Sequence, residues 1–384
     1  MSVRCDENER IRLSIIAVAL FMATVLIQTS NSNAGTIIAF MCLISIIIFS
    51  LGETKFSLKY NRLSTPLFLF LVLITVVTLI KTEQALRLPK LVLQIVACIL
   101  LMNVKKVNKL EERFLIGVYI ASTTVYALLL MYSIFSQGNR AHSNIAFFGT
   151  SFDPNFIGLP FAFASALELS LLISQKNRLT KVFWLLFSYV SSVLIVIVTA
   201  SRGSALSLVT SNLIVLVLYL TRNNTSVLKR AFVLVLFVVA GYLMITFFHE
   251  KFSNAFARIA TIGQAGSDNG RFELWRKGIN IWKDNWLVGG GFYSNYQSFG
   301  RAVHNTYIEV LSETGLVGII LLFPYIYRAI KKTLSFNGYI FGALIALLIQ
   351  IIFLDALDNR VLWIVFCWIA VLPNQRDVSE QAIV

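Results

Sequence analysis

Charged residues are scarce in this sequence of 384 residues. They make up 14% of the chain, whereas hydrophobic residues make up 57% and the mean hydropathy is +0.76. A soluble globular domain contains about 25% charged residues. The shortage of charge therefore excludes a soluble domain of average composition and indicates that most of the chain lies in an apolar environment.

Cysteine is also rare, with four residues, and none of them is placed for an external disulfide. Cys42, Cys98 and Cys367 fall within apolar runs, and Cys5 precedes the first run. Disulfides persist in oxidising compartments outside the cytoplasm. Cysteines within a membrane or on its cytoplasmic side therefore do not indicate a disulfide framework.

Motifs for metal or nucleotide binding are missing as well. The three histidines lack close ligand spacing, and His142 and His249 have no distinctive neighbours. The nearest approach to a paired-carboxylate site is DALDNR, where Asp355 and Asp358 precede an arginine, Arg360, that can equally neutralise them. We therefore expect neither a metal ion nor any other cofactor.

The sequence has instead a series of continuous apolar runs. Each is close to the roughly 20 residues that a helix needs to cross about 30 Å of hydrocarbon. We predict an all-α polytopic membrane protein with about twelve transmembrane helices in a single transmembrane domain, residues 1–384. The predicted spans are 12–29, 34–51, 65–80, 89–103, 114–136, 155–174, 180–200, 204–221, 231–249, 305–327, 336–354 and 360–372.

The distribution of basic residues predicts the orientation. If the N-terminus is cytoplasmic, short segments rich in Lys and Arg, such as NVKKVNKLEER and QKNRLTK, all lie on the cytoplasmic side. Basic residues in short loops favour that side. We predict that both termini are cytoplasmic. The net charge of +14 mostly reflects this bias. No basic folded face is apparent, so the sequence does not indicate nucleic-acid binding.

One long external segment, 250–304, separates the ninth and tenth spans, and loops of this length are usually functional. It contains two predicted amphipathic helices, EKFSNAFARIATIGQ and RFELWRKGINIWKDNW. The glycines from Gly289 to Gly291 follow them and can supply the backbone angles of a hinge. We expect a mobile lid; an interfacial loop without chemistry is the alternative. The apolar stripe of the second helix consists of Leu274, Trp275, Ile279 and Trp282.

Two external arginines occupy unusual positions. Arg202 lies in TASRGS, a turn between two long apolar spans, and Arg271 opens the second amphipathic helix. Guanidinium groups match phosphate oxygens in a bidentate manner, so arginines around one cleft could bind a diphosphate. A helix start would add positive potential. Alternatively, Arg202 snorkels to lipid headgroups and Arg271 anchors its helix at the interface.

The third histidine, His304, opens the segment HNTYIEVLSETG at the start of the tenth span. Imidazole titrates near pH 6.5 in its free form, which suits a general base. A histidine at a helix start can alternatively act only as a cap. Helical spacing places Tyr307 on the side of His304, with Glu313 further into the span.

The order of these motifs resembles the O-antigen polymerase and O-antigen ligase superfamily of bacterial envelope glycosyltransferases. The motifs are SFDPNFIG, TASRG, NGRFELW, GGGF and HNTYIEVLSETGLVG, and the resemblance is most specific over 199–320. It implies a multi-spanning lipid-linked glycosyltransferase of the bacterial inner membrane with its active site in a periplasmic cavity. Its substrate would be a glycan on undecaprenyl diphosphate.

The resemblance also implies a set of site residues. Arg202 and Arg271 match two arginines that would bind the diphosphate, and His304 matches a histidine that would take the proton from the attacking sugar hydroxyl. Arg87 and Arg360 are further candidates for the diphosphate. The expected supporting residues are Asn305, Tyr307 and Glu313, and the expected glycan contacts are Tyr293 and Tyr296.

Three functions remain open. A polymerase transfers the growing glycan to the next lipid-linked repeat unit, and a ligase transfers it to lipid A–core. TASRG, the DPN at 153–155 and DNRVLWIVF look more like polymerases. A flippase or transporter is the third alternative, although transporters usually show inverted repeats and broken helices. The expected partners are the lipid-linked donor and acceptor and membrane lipids, with a chain-length regulator and a flippase acting beside them.

Overall fold

The fold is described from a computed structural model. It describes residues 10–24, 33–55, 64–83, 87–137, 145–147, 150–152, 154–174, 179–199, 201–221, 270–336 and 338–373, with isolated positions between 226 and 246. The helices are α1 (Leu13–Ala23), α2 (Asn33–Glu53), α3 (Ser64–Lys81), α4 (Leu88–Asn103), α5 (Lys109–Gln137), α6 (Pro154–Ser174), α7 (Leu179–Val198), α8 (Arg202–Thr221), α9 (Arg271–Asp284), α10 (Ser294–Phe299), α11 (Thr306–Phe336), α12 (Gly338–Gln350) and α13 (Arg360–Val371).

The helices confirm the predicted class of all-α membrane protein. Six of the described helices are long and apolar enough to cross a membrane, namely α3, α5, α6, α7, α8 and α11. The shorter apolar helices are α1, α2, α4, α12 and α13. Each predicted span except the ninth coincides with a described helix. The ninth, 231–249, lies largely outside the described residues, as do the first amphipathic helix of the long loop, His142 and His249.

The chain divides into two units, which are described separately. The first contains residues 1–122, 271–336 and 354–384, and the second contains 123–270 and 337–353. In the first unit α4 packs against α2, α3 and α13, and α11 packs against α3, α9 and α13. In the second unit α6 packs against α7, α8 and α12.

One end of the first unit is held together by Arg12, which precedes α1. Its Nε donates to Oε1 of Glu111 at 2.7 Å, and its Nη1 lies 3.3 Å from Oε2 of Glu53. Nη1 also donates to the carbonyl of Lys105 at 2.7 Å. The start of α1, the end of α2 and the first turn of α5 therefore meet at one guanidinium.

Two lysines bind the last turn of α13 at the same end of the unit. Lys106 and Lys332 each donate to a carbonyl in the last turn of α13, those of Ala370 and Ile369, at 2.9 Å. Cations near the last carbonyls of a helix are favourable because those carbonyls have no partner within the helix. Basic segments that the sequence assigns to the cytoplasm therefore gather at this end.

In the second unit, two separate sequence motifs, SFDPNFIG and TASRG, meet at the start of α8. The hydroxyl of Ser201 accepts the backbone N–H of Ser204 at 3.2 Å, which is an N-cap, and donates to Oδ1 of Asn155 at 2.9 Å. The amide of Gln350 donates to Ser204 Oγ at 2.7 Å. A Cβ on Gly158 would overlap the hydroxyl of Ser204, so α6 and α8 can approach this closely only with glycine there.

Three details differ from the predicted spans. Residues Ile145–Phe147 and Thr150–Phe152 form a small antiparallel hairpin, β1 and β2, whose strands are too short for a recognisable alternation. The tenth span, predicted to end at 327, continues as α11 to Phe336. Within α11, Gly315 has φ 64° and ψ −166°, so the helix is broken there.

Candidate functional site

Backbone groups on both sides of the break in α11 form hydrogen bonds with the loop that contains the glycine run. The N–H groups of Gly290 and Gly291 donate to the carbonyls of Ser312 and Glu313 at 2.8 and 2.9 Å. On the other side of the break, the N–H groups of Leu316 and Val317 donate to the carbonyls of 286 and 287 at 3.0 Å. The backbone groups that the break releases are therefore satisfied by the loop, which a buried helix break requires.

The glycine run combines unusual backbone angles with close packing. Gly289 and Gly291 have positive φ values of 77° and 93°, so the predicted unusual backbone angles are present. However, a Cβ on Gly289 would overlap the carbonyl of Glu313, and one on Gly315 would overlap the carbonyl of Leu287. The glycine run therefore packs against the broken helix and supports the first segment of α11.

The first segment of α11 buries one polar face. Asn305 caps it, because its Oδ1 accepts the N–H groups of Tyr307 and Ile308 at 3.0 and 3.1 Å. Thr306, Glu309 and Glu313 are all buried. With spacings of three and four residues, these three side chains lie on one side of the helix.

A cavity of about 160 Å³ lies beside this face, and four carboxylates line it. They are Glu309, Glu313, Asp355 and Asp358. Oε2 of Glu309 accepts the N–H of Leu357 at 3.2 Å, and Oδ2 of Asp358 lies 3.1 Å from Nζ of Lys90. Among the residues that the structure describes, no group of three His, Cys, Asp or Glu residues could hold a metal ion.

Asn295 joins the loop to the broken helix inside the cavity. Its Nδ2 donates to Ser312 Oγ at 2.7 Å and to Glu313 Oε1 at 3.2 Å. Both Asn295 and Glu313 are almost completely buried, at 2% and 3% exposure. Oδ1 of Asn295 and the second carboxyl oxygen of Glu313, Oε2, have no hydrogen-bond partner in the part of the chain that the structure describes.

Arg87 and two tyrosines form another wall of the same cavity. The Arg87 guanidinium carbon lies 4.6 Å from the ring centre of Tyr293 and 5.6 Å from that of Tyr296, which are cation–π contacts. The Tyr293 hydroxyl donates to Oδ2 of Asp358 at 3.5 Å. Burial, followed by the negative charge of Asp358, raises the pKa of Tyr293, so its phenol stays protonated and remains a donor.

His304 is held by Asp355, one of the lining carboxylates. Its backbone N–H lies 2.8 Å from both oxygens of Asp355, and its Nδ1 lies 3.2 Å from Oδ2. The backbone of His304 has φ 57°, in the left-handed region that non-glycine residues rarely adopt. With Nδ1 directed at a carboxylate, Nε2 is the ring nitrogen left to take a proton.

The structure brings together only some of the predicted site residues. Arg87, Tyr293, Tyr296 and Glu313 line the cavity, and His304 is bonded to its lining. Tyr307 is 44% exposed and is not part of the lining, whereas Glu309 is. The helix begins at Thr306, and this start turns residues 309 and 313, rather than 307, towards the cavity.

The remaining arginines have different positions. Arg360 begins α13 and is buried, at 6% exposure, behind the cap formed by Asn359. Arg271 begins α9, which covers most of the segment RFELWRKGINIWKDNW; its buried residues are Leu274, from the predicted stripe, and Gly278. Arg202 begins α8 in the second unit.

Sequence reasoning missed the role of Asp355. The sequence indicates Asp355 only as part of the carboxylate pair in DALDNR, and the supporting residues it predicts for His304 all follow directly in the motif of that histidine. The group that contacts His304 is Asp355, which is 51 residues away in sequence. The available signal was a carboxylate at the outer end of a span, where charge is costly.

One family of known proteins matches part of the chain. Residues 187–323 match the family described as O-Antigen ligase. The matched segment covers little more than a third of the chain and contains Arg202, Arg271 and His304, whereas Arg87 and Asp355 lie outside it. No curated protein matches the chain. The match over this segment supports the resemblance to the O-antigen ligase and polymerase superfamily.

Proposed function

We propose that this protein is a polysaccharide polymerase, which transfers a growing glycan from undecaprenyl diphosphate to a lipid-linked repeat unit at the periplasmic face of the bacterial inner membrane. The observation that carries the proposal is the pairing of His304 with Asp355 at the edge of a carboxylate-lined cavity. A paired histidine beside a cavity is the arrangement expected of a general base.

The reaction needs one base and one good leaving group. Nε2 of His304 removes the proton from a hydroxyl of the acceptor sugar, and that oxygen attacks the anomeric carbon of the donor. The bond between this carbon and the phosphate oxygen breaks, and undecaprenyl diphosphate leaves with the electron pair. Asp355 keeps the ring oriented and stabilises the imidazolium that forms. General-base catalysis of this kind raises the rate roughly 10²–10⁴-fold.

Arg202 and Arg271 are assigned to the diphosphate. Each is the first residue of a helix, α8 or α9. The positive end of the helix dipole favours a negatively charged ligand, and the guanidinium would add bidentate hydrogen bonds. Both features stabilise the charge that grows on the leaving group.

Arg87 fits the diphosphate less well than the sequence suggested. It contacts two tyrosine rings and faces a cavity lined by four carboxylates. A diphosphate placed there would meet like charges, which is unfavourable. We therefore assign Arg87 to the side of the site that binds the sugar, and leave Arg360 as a helix-start residue next to Asp358.

A broken helix also occurs in transporters, so the break at Gly315 does not by itself favour an enzyme. The family match over 187–323 does favour an enzyme, and glycan transfer gives the His304–Asp355 pair a role as the base. Ligation to lipid A–core is the second candidate, and the description of the matched family favours it. Both reactions use the same donor and the same base, and they differ in the acceptor.

A deletion strain separates the two reactions. We expect its lipopolysaccharide or capsule gel to lose the ladder while one repeat unit stays attached to lipid A–core, which indicates a polymerase. Loss of all attachment to core, with a polymerised glycan still present on the lipid carrier, would contradict this and identify a ligase. Complementation with His304→Asn provides the matched inactive control.

A further inference from the structure

The cavity beside α11 is lined by four acidic side chains, and the proposed transfer reaction does not by itself require them. We propose that it is the subsite for the acceptor sugar, and that it selects a ring which offers hydroxyl or ammonium donors and carries no acidic group. This inference rests on the proposed function, because it identifies the acceptor of that reaction by its chemistry.

The first argument is the pair of unsatisfied acceptors. Among the residues that the structure describes, Oε2 of Glu313 and Oδ1 of Asn295 have no hydrogen-bond partner, although both side chains are more than nine-tenths buried and line the cavity. The orientation of the amide is fixed, because its nitrogen must donate to Glu313, and Ser312 Oγ already donates to the carbonyl of Ile308. Two buried acceptors without donors are costly, and a ligand that donates to both removes that cost.

The second argument is charge. The lining contains four carboxylates and a single cation, Arg87, whose guanidinium is held over the rings of Tyr293 and Tyr296. Lys90 is already paired with Asp358 at 3.1 Å. A carboxylate or phosphate that enters this cavity meets mainly other acidic side chains, of which only Asp355 and Asp358 contact a basic residue, whereas hydroxyl and ammonium groups can donate to them.

The third argument is size and position. A volume of about 160 Å³ is below the roughly 300–1,000 Å³ of pockets for drug-sized ligands, so the cavity accommodates one sugar ring rather than an oligosaccharide. Asp355 both lines the cavity and bonds His304. A hydroxyl of a ring bound here therefore lies next to the base, which is where an acceptor must be.

Three methyl glycosides with the same ring test the selection directly. Methyl glucoside is neutral, methyl glucosaminide carries an ammonium group and methyl glucuronide carries a carboxylate. Their binding to the purified protein in nanodiscs is measured by saturation-transfer NMR, which does not depend on turnover. We expect the first two to bind at least about tenfold more tightly than the glucuronide, since like-charge contacts cost several kcal/mol. Equal or tighter binding of the glucuronide would overturn the proposal.

A variant then assigns the selection to the cavity. Glu313→Gln keeps an oxygen that can accept from Asn295 but replaces the unpartnered oxygen by a donor. We expect the preference against the glucuronide to shrink severalfold, whereas Glu273→Gln, at an exposed site on α9, should leave it unchanged. An unchanged preference in a folded Glu313→Gln protein would place the selection elsewhere. If the wild-type protein binds the glycosides as expected but transfers no glycan, the proposed function fails while the sugar subsite stands.

Discussion

At the scale of single residues, one carboxylate determines the conformation of the candidate base. Asp355 accepts the backbone N–H of His304 and also contacts its Nδ1. A left-handed conformation costs a non-glycine residue roughly 1–2 kcal/mol. The hydrogen bonds to Asp355 offset this cost, and the same contact aligns the imidazole.

Asp355→Asn tests this orientation. The amide oxygen can still accept a hydrogen bond from the backbone N–H of His304. The amide nitrogen, however, cannot accept a hydrogen bond from Nδ1–H. We expect the initial rate of glycan transfer to fall by about 10²–10⁴-fold, with little change in thermal unfolding, because only the orientation of the base is lost. Asp284→Asn, at the exposed end of α9, is the matched control. A variant that transfers glycan at the wild-type rate would remove Asp355 from the mechanism.

Arg202→Lys and Arg271→Lys test the assignment of the diphosphate. An ammonium group keeps the charge but cannot make two parallel hydrogen bonds to one phosphate. We expect a loss of transfer of about tenfold or more at each site, since one hydrogen bond to a charged group is worth roughly 1.5–3 kcal/mol. Arg276→Lys, on the exposed side of α9, should be neutral. If lysine retains activity at either site, that arginine supplies only charge or anchors its helix.

The residue scale also shows what the sequence could predict. His304 was found because it opens a motif and a span, and both are local properties. Its contact with Asp355 was not predicted, because the two are 51 residues apart and only the packing of α11 against α13 brings them together. The choice between Tyr307 and Glu309 depends on the residue at which the helix begins, and sequence boundaries are uncertain by a few residues.

At the scale of elements, the break in α11 and the glycine loop form one junction. Its donors and acceptors are backbone groups of residues 286–291 and 312–317. The apolar span predicted over 305–327 was confirmed, but its break was not predicted, since glycine is frequent in transmembrane helices. The partners that stabilise the break come from the preceding loop and are visible only in the fold.

Alanine substitutions test the junction. In Gly289→Ala and Gly315→Ala, the added Cβ would overlap a backbone carbonyl of the opposing segment and would also force a positive φ on alanine. We expect both variants to unfold at a lower temperature and to lose transfer, because Glu313 and Asn295 are held by the same junction. Gly117→Ala meets open space on α5 and should increase or preserve the unfolding temperature. Wild-type stability of both junction variants would show that the loop and helix are not coupled.

At the scale of the whole molecule, the residues that precede α4 and α13 lie beside the candidate site, whereas the opposite ends of both helices contact the basic residue Lys106. Arg87 and Asn359 precede these helices next to the candidate site, whereas Lys105 and Lys106 follow α4 next to the Arg12 network. The predicted topology, in which chemistry is external and basic segments are cytoplasmic, requires such a separation. The apolar spans were predictable because they depend on composition, whereas the networks at their ends depend on distant contacts.

Arg12→Ala should destabilise the first unit. Glu111 is 1% exposed and would keep a buried carboxylate without its guanidinium partner. Loss of one partner of a buried pair costs roughly 3–5 kcal/mol. We expect a clear fall in the unfolding temperature, measured by tryptophan fluorescence. Glu53→Gln, which affects only the more exposed pair, should cost about 1 kcal/mol or less. Equal effects of the two substitutions would contradict the importance of the buried contact.

The central claim is that His304 is the base of a glycan transfer that uses a lipid diphosphate as leaving group. The most direct test is the rate of transfer from a purified undecaprenyl-diphosphate-linked oligosaccharide in nanodiscs, with EDTA present and no nucleotide added. His304→Asn is the informative variant, because asparagine tolerates the left-handed backbone of this position but provides no base. We predict glycan transfer by the wild-type protein and none by His304→Asn at equal protein level and stability. Wild-type-like transfer by His304→Asn would contradict the mechanism.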